Sequence, residues 1–295
     1  MVIKNKKFSK CENIEDIVRK KLSTKNEITW CPGCENFLIL EAVKRAILKI
    51  ISEYEGYKLE NLVIVSGIGC HQKIYDYLNL SGIYGLHGRV LPLSLGIKLG
   101  NPNLTVIGFA GDGDAYADGM EHFVHIGRFN PNMTYVVVDN RNFALTTGQS
   151  TPTSPKGFKS KIEPSGNVND PINPIKIALA SNISFVARAI PTDLNHLSEI
   201  LEKAIKHRGF SFVEILMDCL VFAPDNLKNK KFYKVENRDI KKAFELAEEW
   251  NYEDTEGKIP IGVIYKKEKP ILEEKIPQLK RLIEKNIGWC DLKKQ

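Results

Sequence analysis

The segment Gly111-Asp112-Gly113-Asp114 and the later pair Asp139-Asn140 bring hard oxygen ligands together with glycines. Magnesium takes oxygen ligands, usually one or two protein groups completed by phosphate oxygens. Asp112 supplies a carboxylate, Asn140 a side-chain oxygen, and the main-chain carbonyl of Asn142 is a candidate third ligand. Gly111 and Gly113 let the backbone approach phosphates closely, and the helix expected next would aim its N-terminal N–H groups at the anion. Gly-Asp-Gly-Asp could equally be a plain turn. The ligand reading is favoured because one helix and one strand separate Asp112 from Asn140. Both then fall at the carboxyl ends of neighbouring strands, the rim where open α/β sheets bind ligands.

The second group is made of cysteines. Trp30-Cys31-Pro32-Gly33-Cys34 sets two thiolates close together around a turn, Cys70 follows the first strand, and Cys219 follows the last strand of the main domain. Four thiolates suit an iron–sulfur cluster or a structural zinc. A structural zinc usually draws its second pair from nearby in sequence, whereas these four are widely spread and converge on the rim that carries Asp112. Taken singly, Cys70 and Cys219 read as buried apolar cysteines. Cys11 and Cys290 have no partner at ligand spacing.

The elements that would hold these residues follow from periodicity. Glu35 to Glu53 is an amphipathic helix, and Leu62–Val65, Thr105–Ala110 and Thr134–Val138 are short apolar strands, with a helix through Met120–Ile126. A helix at Pro174–Ser181, a strand at Phe185–Ile190, a helix at Asp193–His207 and a strand at Ser211–Met217 complete the alternation. Near-continuous Val/Ile runs between helices predict a doubly wound α/β domain with a mostly parallel sheet. The chain divides into an N-terminal extension (1–29), a cofactor-binding domain (30–223) and a charged C-terminal arm (224–295) that packs on that domain or on a partner. The Phe143–Asp170 loop is long enough to be a lid or docking segment.

Composition narrows the class. Apolar residues make up 43% and charged residues 26% of 295, which allows a large core. The net charge of +6 lacks the aromatic-interleaved basic motif of nucleic-acid binding but suits an acidic protein partner. No apolar stretch approaches a membrane span, and Met1–Lys7 is not followed by a secretory signal, so the cytoplasm is the default compartment. Thiols stay reduced there, which favours metal binding over disulfides.

Taken together, these motifs resemble the beta subunit of the 2-oxoacid:ferredoxin oxidoreductases. The carriers are Trp30–Cys34, Ser66-Gly67-Ile68-Gly69-Cys70, Leu86-His87-Gly88-Arg89, Gly111–Asp114, Asp139-Asn140 and Leu145-Thr146-Thr147-Gly148-Gln149, and the resemblance runs from Trp30 to about Tyr265. The resemblance implies a thiamine-diphosphate-binding fold, with Cys31, Cys34, Cys70 and Cys219 on a 4Fe–4S cluster and Asp112, Asn140 and the Asn142 carbonyl on Mg2+. It implies that Ile68, Gly69, Cys70, His71, His87, Gly113, Asp114, Ala144 and Leu145 line the thiamine cofactor. The chain departs from the family pattern at Glu35, His71-Gln72, Ala144 and Thr147, and around Cys219, without losing a ligand.

The implied activity is coenzyme A-dependent oxidative decarboxylation of 2-oxoacids such as pyruvate, 2-oxobutyrate or 2-oxoglutarate, with electrons passing through the cluster to ferredoxin. The implied partner is an alpha, or fused gamma-alpha, subunit. Two catalytic candidates stand out. Lys73, three residues past Cys70, could hold the substrate carboxylate or remain a solvated lysine, and Leu145 would shape the pocket over the reacting centre. His122 and His125 share a helix with Phe123 and Ile126 and read as packing residues. A non-oxidative thiamine decarboxylase would have no use for the four cysteines, and a non-catalytic cluster or zinc protein none for Asp112 and Asn140.

Overall fold

The computed structural model describes residues 20–225, 227–253 and 257–292. The expectations for Met1–Lys7, for Cys11 and for most of the 1–29 extension lie outside these residues. The strands are β1 (Leu62–Ser66), β2 (Ser81–Tyr84), β3 (Thr105–Gly111), β4 (Met133–Asp139), β5 (Asn142–Phe143), β6 (Gln149–Ser150), β7 (Phe185–Ala189), β8 (Phe210–Leu216), β9 (Lys231–Glu236) and β10 (Lys258–Lys266). Eight of them form one sheet in the order β2-β1-β3-β4-β8-β7-β10-β9, and β5 pairs with β6 in a small ribbon. Neighbours in the large sheet run parallel except β10 against β7.

The central strands β1, β4, β7 and β8 are buried along their whole length, as parallel strands covered on both faces must be. Successive side chains point to opposite faces. Ile64, Ile107, Val136 and Val213 meet α1 (Asn36–Glu53) and a helix at Leu194–Lys206 on one side. Val106, Val137 and Phe212 meet helices at Val90–Gly100, Met120–Phe129, Pro174–Ala180 and Ile240–Glu248 on the other. Each fully buried Ile, Val or Leu contributes about 1.5–3 kcal/mol, so residues at the strand ends sit on a rigid frame.

The charged stretch after residue 224 packs on the main domain by continuing its sheet through β9 and β10. Glu273, fully buried, accepts the Asn132 backbone N–H at 2.9 Å and fastens the following segment. At the other end, Leu22 is buried in the core formed by α1. From β1 the chain passes to β2 on one side and then to β3 on the other, so the strand order reverses between β1 and β3. That reversal opens a crevice at the carboxyl ends of the strands, where open α/β sheets take their ligands.

Candidate active site

A cleft of about 470 Å³ occupies this crevice. Its β1 wall is Ile68, Gly69, Cys70, His71 and Gln72, and its β3 wall is Gly111–Asp114. Asn140 and Asn142 after β4 form the floor, and Phe143, Ala144, Leu145 and Thr146 form the outer lip together with His87. Every residue expected to line a thiamine cofactor, and all three expected magnesium ligands, therefore border one cavity. Lys73 does not line it. It ends a short 3-10 turn, and its Nζ donates to the Thr29 carbonyl at 3.4 Å. Thr146 rather than Thr147 faces the cleft; Thr147 is exposed with φ of 90°, a strained backbone for a β-branched residue.

The carboxylates are organised by the loop after β4. Asp112 Oδ2 accepts from the Thr151 hydroxyl at 2.5 Å, and the Thr153 hydroxyl, 3.4 Å from the same oxygen, donates to Asp139 Oδ1 at 2.8 Å. The Ser154 hydroxyl donates to the Arg141 carbonyl at 2.5 Å and closes the turn. The first part of the expected lid is thus the support of the metal-ligand candidates. Burial pushes the Asp112 carboxyl up to about 7, and burial with Asp112 and Glu214 as neighbours holds Asp139 well above the usual range. On the same wall Asp114 accepts from Gly88 N–H and, at 3.0 Å, from Gln72 Nε2 across the cleft, with burial raising it to about 6. After Asp112 the chain makes a π-helical stretch (Gly113–Asp118) before the helix at Met120–Phe129. Gly113 is required for packing, because a Cβ there would enter the Phe143 ring.

The cysteines gather beside the same wall. Cys34 N–H bonds to the Cys31 carbonyl at 3.0 Å across a turn in which Gly33 has φ of +80°. Trp30 Nε1 donates to the Cys70 carbonyl at 2.7 Å, tying that turn to the end of β1. Glu35 Oε2 accepts the Asp218 N–H at 3.2 Å, which brings in Cys219. Burial pushes the Cys70 thiol up to about 11, opposed by Lys73 and reinforced by Cys219, Cys34 and Cys31. The Cys34 thiol is raised by burial too, with hydrogen bonds from Asn36 opposing.

Among the described residues no three His, Cys, Asp or Glu side chains are grouped closely enough to share a single metal ion. A magnesium held by one carboxylate, one amide, one carbonyl and phosphates needs no such group. A cluster is a larger object than an ion and holds its thiolates further apart. The cleft fits magnesium and its ligand in a second respect. His71 Nε2, Gln72 Oε1, Asn142 Oδ1 and Asp139 Oδ2 are buried at or beneath the cleft without a hydrogen-bond partner in the structure. Buried polar atoms are rarely left so, and a set this rich in acceptors suits a cation and a donor-bearing ligand.

Several contributors carry no motif: Thr151, Thr153, Gln72, Asn36 and Asp118, whose carboxylate lies 2.5 Å from His87 Nδ1. The departure at Glu35 has a structural role in the bond to Asp218. Burial pushes His71 down to about 3, so its imidazole is neutral.

A doubly wound sheet whose crevice pairs an aspartate after one strand with an asparagine after the next defines a thiamine-diphosphate-binding domain. Residues 67–215 match the family described as "Thiamine pyrophosphate enzyme, C-terminal TPP binding domain". Residues 226–281 match the family of C-terminal segments from the beta subunit of pyruvate ferredoxin oxidoreductase. The chain is 40% identical over 268 residues to 2-oxoacid:ferredoxin oxidoreductase subunit beta of Sulfolobus sp, covering 84% of this chain and 85% of that one. It is 39% identical over 259 residues to the protein of the same name from Saccharolobus solfataricus, covering 81% and 82%. A solved 2-oxoglutarate:ferredoxin oxidoreductase from Magnetococcus marinus, with 2-oxoglutarate, coenzyme A and succinyl-CoA bound, superposes with TM-score 0.80 at 30% identity, over 92% of this chain and 91% of that chain. The chain belongs to the beta subunits of the 2-oxoacid:ferredoxin oxidoreductases.

Proposed function

We propose that this subunit binds thiamine diphosphate through magnesium in the β1–β3 crevice and carries a 4Fe–4S cluster beside it, for coenzyme A-dependent oxidative decarboxylation of 2-oxoacids. The observation that carries the reading is the shared wall. Cys70 ends the same turn that lines the cleft, so a cluster ligand and the cofactor pocket are one piece of backbone. Thiamine diphosphate supplies the carbanion chemistry that releases the carboxylate of a 2-oxoacid, and a 4Fe–4S cluster accepts electrons singly.

The chain's own residues divide the work. Asp112, Asn140 and the Asn142 carbonyl are assigned to magnesium, and Cys31, Cys34, Cys70 and Cys219 to the cluster. Leu145, half exposed on the lip, would shape the pocket over the reacting centre. Lys73 lies just outside the cleft lining, next to Gln72, and is assigned to the substrate carboxylate because its flexible stem can leave Thr29 and reach in. Cys31 is exposed, which suits an electron exit to ferredoxin. Four free thiols in one site also suit a reducing cytoplasm.

Thiamine activation needs a carboxylate beside the aminopyrimidine ring. No glutamate is among the cleft-lining residues, and Asp112 and Asp114 are engaged by Thr151, Gly88 and Gln72. An alpha, or fused gamma-alpha, partner supplies that carboxylate. Its docking face includes the exposed apolar side chains Leu86, Ile162 and Val168 around the cleft and its loop. The test is turnover of 2-oxoacid with coenzyme A and ferredoxin by the isolated chain and by the reconstituted complex. Activity only in the complex supports the reading; steady turnover by the chain alone refutes it.

A further inference from the structure

Asn36 is the first residue of α1, one position inside the N-cap Glu35, and its side chain makes no cap to the helix backbone. The side chain is 1% exposed, and both ends of its amide are engaged elsewhere. Nδ2 donates to Cys34 Sγ at 3.5 Å, and Oδ1 lies 2.9 Å from His71 Nδ1. Since Oδ1 can only accept, His71 Nδ1 carries the proton of that bond, which leaves Nε2 as an acceptor. The His71 ring is held in turn against Phe109, with ring centroids 5.7 Å apart, and His71 belongs to the wall of the cleft. A continuous path, Cys34–Asn36–His71, therefore joins a cluster-ligand sulfur to the cofactor pocket without passing through the cysteine backbone.

We propose that Asn36 is a positioning residue that sets the reduction potential of the cluster through its bond to Cys34 Sγ, and that His71 fixes the amide in the orientation that makes this bond. The inference rests on the assignment of Cys34 to a 4Fe–4S cluster. A hydrogen bond donated to a cluster thiolate stabilises the added negative charge of the reduced state more than the oxidised state, and so raises the potential. An unsupported amide inside a helix start could rotate away; the imidazole, locked between Asn36 and Phe109, prevents that. The departure of this chain at His71 thus serves the cluster as well as the pocket.

The test is a redox titration of the full chain, purified anaerobically with its cluster, followed by electron paramagnetic resonance. Asn36→Leu keeps the volume and removes the side-chain donor, leaving the backbone N–H of residue 36 in place. Its equilibrium constant for one-electron reduction is expected to fall about threefold, close to 30 mV more negative at about 59 mV per tenfold. His71→Phe keeps a ring in place but cannot hold the amide, and is expected to shift the potential the same way by less. Should Asn36→Leu fail to retain iron, the His71→Phe shift alone decides. Clusters intact in the variants at the unmodified potential, or a shift to more positive values, overturn the inference while leaving the cluster assignment standing. Absence of any cluster from the unmodified chain overturns both.

Discussion

Glu35 Oε2 accepts the Asp218 backbone N–H at 3.2 Å, so the segment following Cys34 is pinned to the segment preceding Cys219. These two stretches lie far apart in sequence, and the bond ties together two of the turns that carry the sulfurs. Glu35→Ala is expected to speed loss of iron to a chelator, because losing one such hydrogen bond costs roughly 1 kcal/mol, or about fivefold in rate. Glu35→Gln keeps an acceptor and should retain iron nearly as well. Equal chelation half-times for the alanine variant and the unmodified chain would show that the pin does not matter.

Replacing Cys31, Cys34, Cys70 or Cys219 by serine should each cost iron and sulfide, since the proposed cluster draws one thiolate from each. The same change at Cys290, exposed near the C-terminus, or at Cys11 should cost none. Iron and sulfide analysis of the six proteins decides the ligand set; a loss at Cys290 equal to that at Cys70 would show it misassigned.

Leu145 and Lys73 bear on the choice of substrate. Leu145 is apolar, Thr146 beside it is uncharged, and the lip of the cleft carries no lysine or arginine for a second carboxylate. Pyruvate or 2-oxobutyrate is therefore favoured over 2-oxoglutarate as far as this chain decides. Lys73→Met should reduce kcat/KM for all of them. Measured in the reconstituted complex, a preference for 2-oxoglutarate of tenfold, about 1.4 kcal/mol of differential transition-state binding, would mean that Lys73 or the partner sets specificity instead. The same preference surviving in Lys73→Met would assign it to the partner.

His207 links stability to pH. Its Nε2 lies 2.9 Å from the Ser184 hydroxyl and its ring packs on Phe185, and burial beside Lys266 and Lys269 pushes it down to about 4. Between about 6.5 and 4 the unfolded chain takes up a proton that the folded chain refuses. The contribution of this site to stability is therefore present above that window and falls as pH drops through it, by up to about 3 kcal/mol. His207→Gln should flatten the pH dependence of the unfolding free energy there by up to one proton. Parallel slopes for the two proteins would show that His207 is not the responsible group.

The sheet and the rim are legible in the sequence because β1, β3, β4 and β8 are Val/Ile-rich runs, and both cofactor motifs follow the ends of such runs directly. Strand β2, Ser81-Gly82-Ile83-Tyr84, gives no such signal; it is a short edge strand with three exposed residues and no apolar period. The helix at Val90–Gly100 carries Pro92, Gly96 and Gly100 with leucines on several sides, which hides its turn. Edge strand β9 alternates lysine and glutamate with apolar residues and reads as surface. The supports of the site are hidden for a different reason. Thr151 reaches Asp112, Asn36 reaches His71 and Glu35 reaches Asp218 only after folding, and contacts across such separations leave no local signature.

The central claim is that Asp112 anchors thiamine diphosphate through magnesium, and calorimetric titration of the cofactor into the assembled, cofactor-stripped complex tests it most directly. The account predicts binding that requires magnesium in the unmodified complex. In Asp112→Asn, with the circular dichroism spectrum unchanged, the affinity should fall by about a hundredfold, near 2.8 kcal/mol at about 1.4 kcal/mol per tenfold. Equal affinity in the two complexes, or binding indifferent to magnesium, would contradict it.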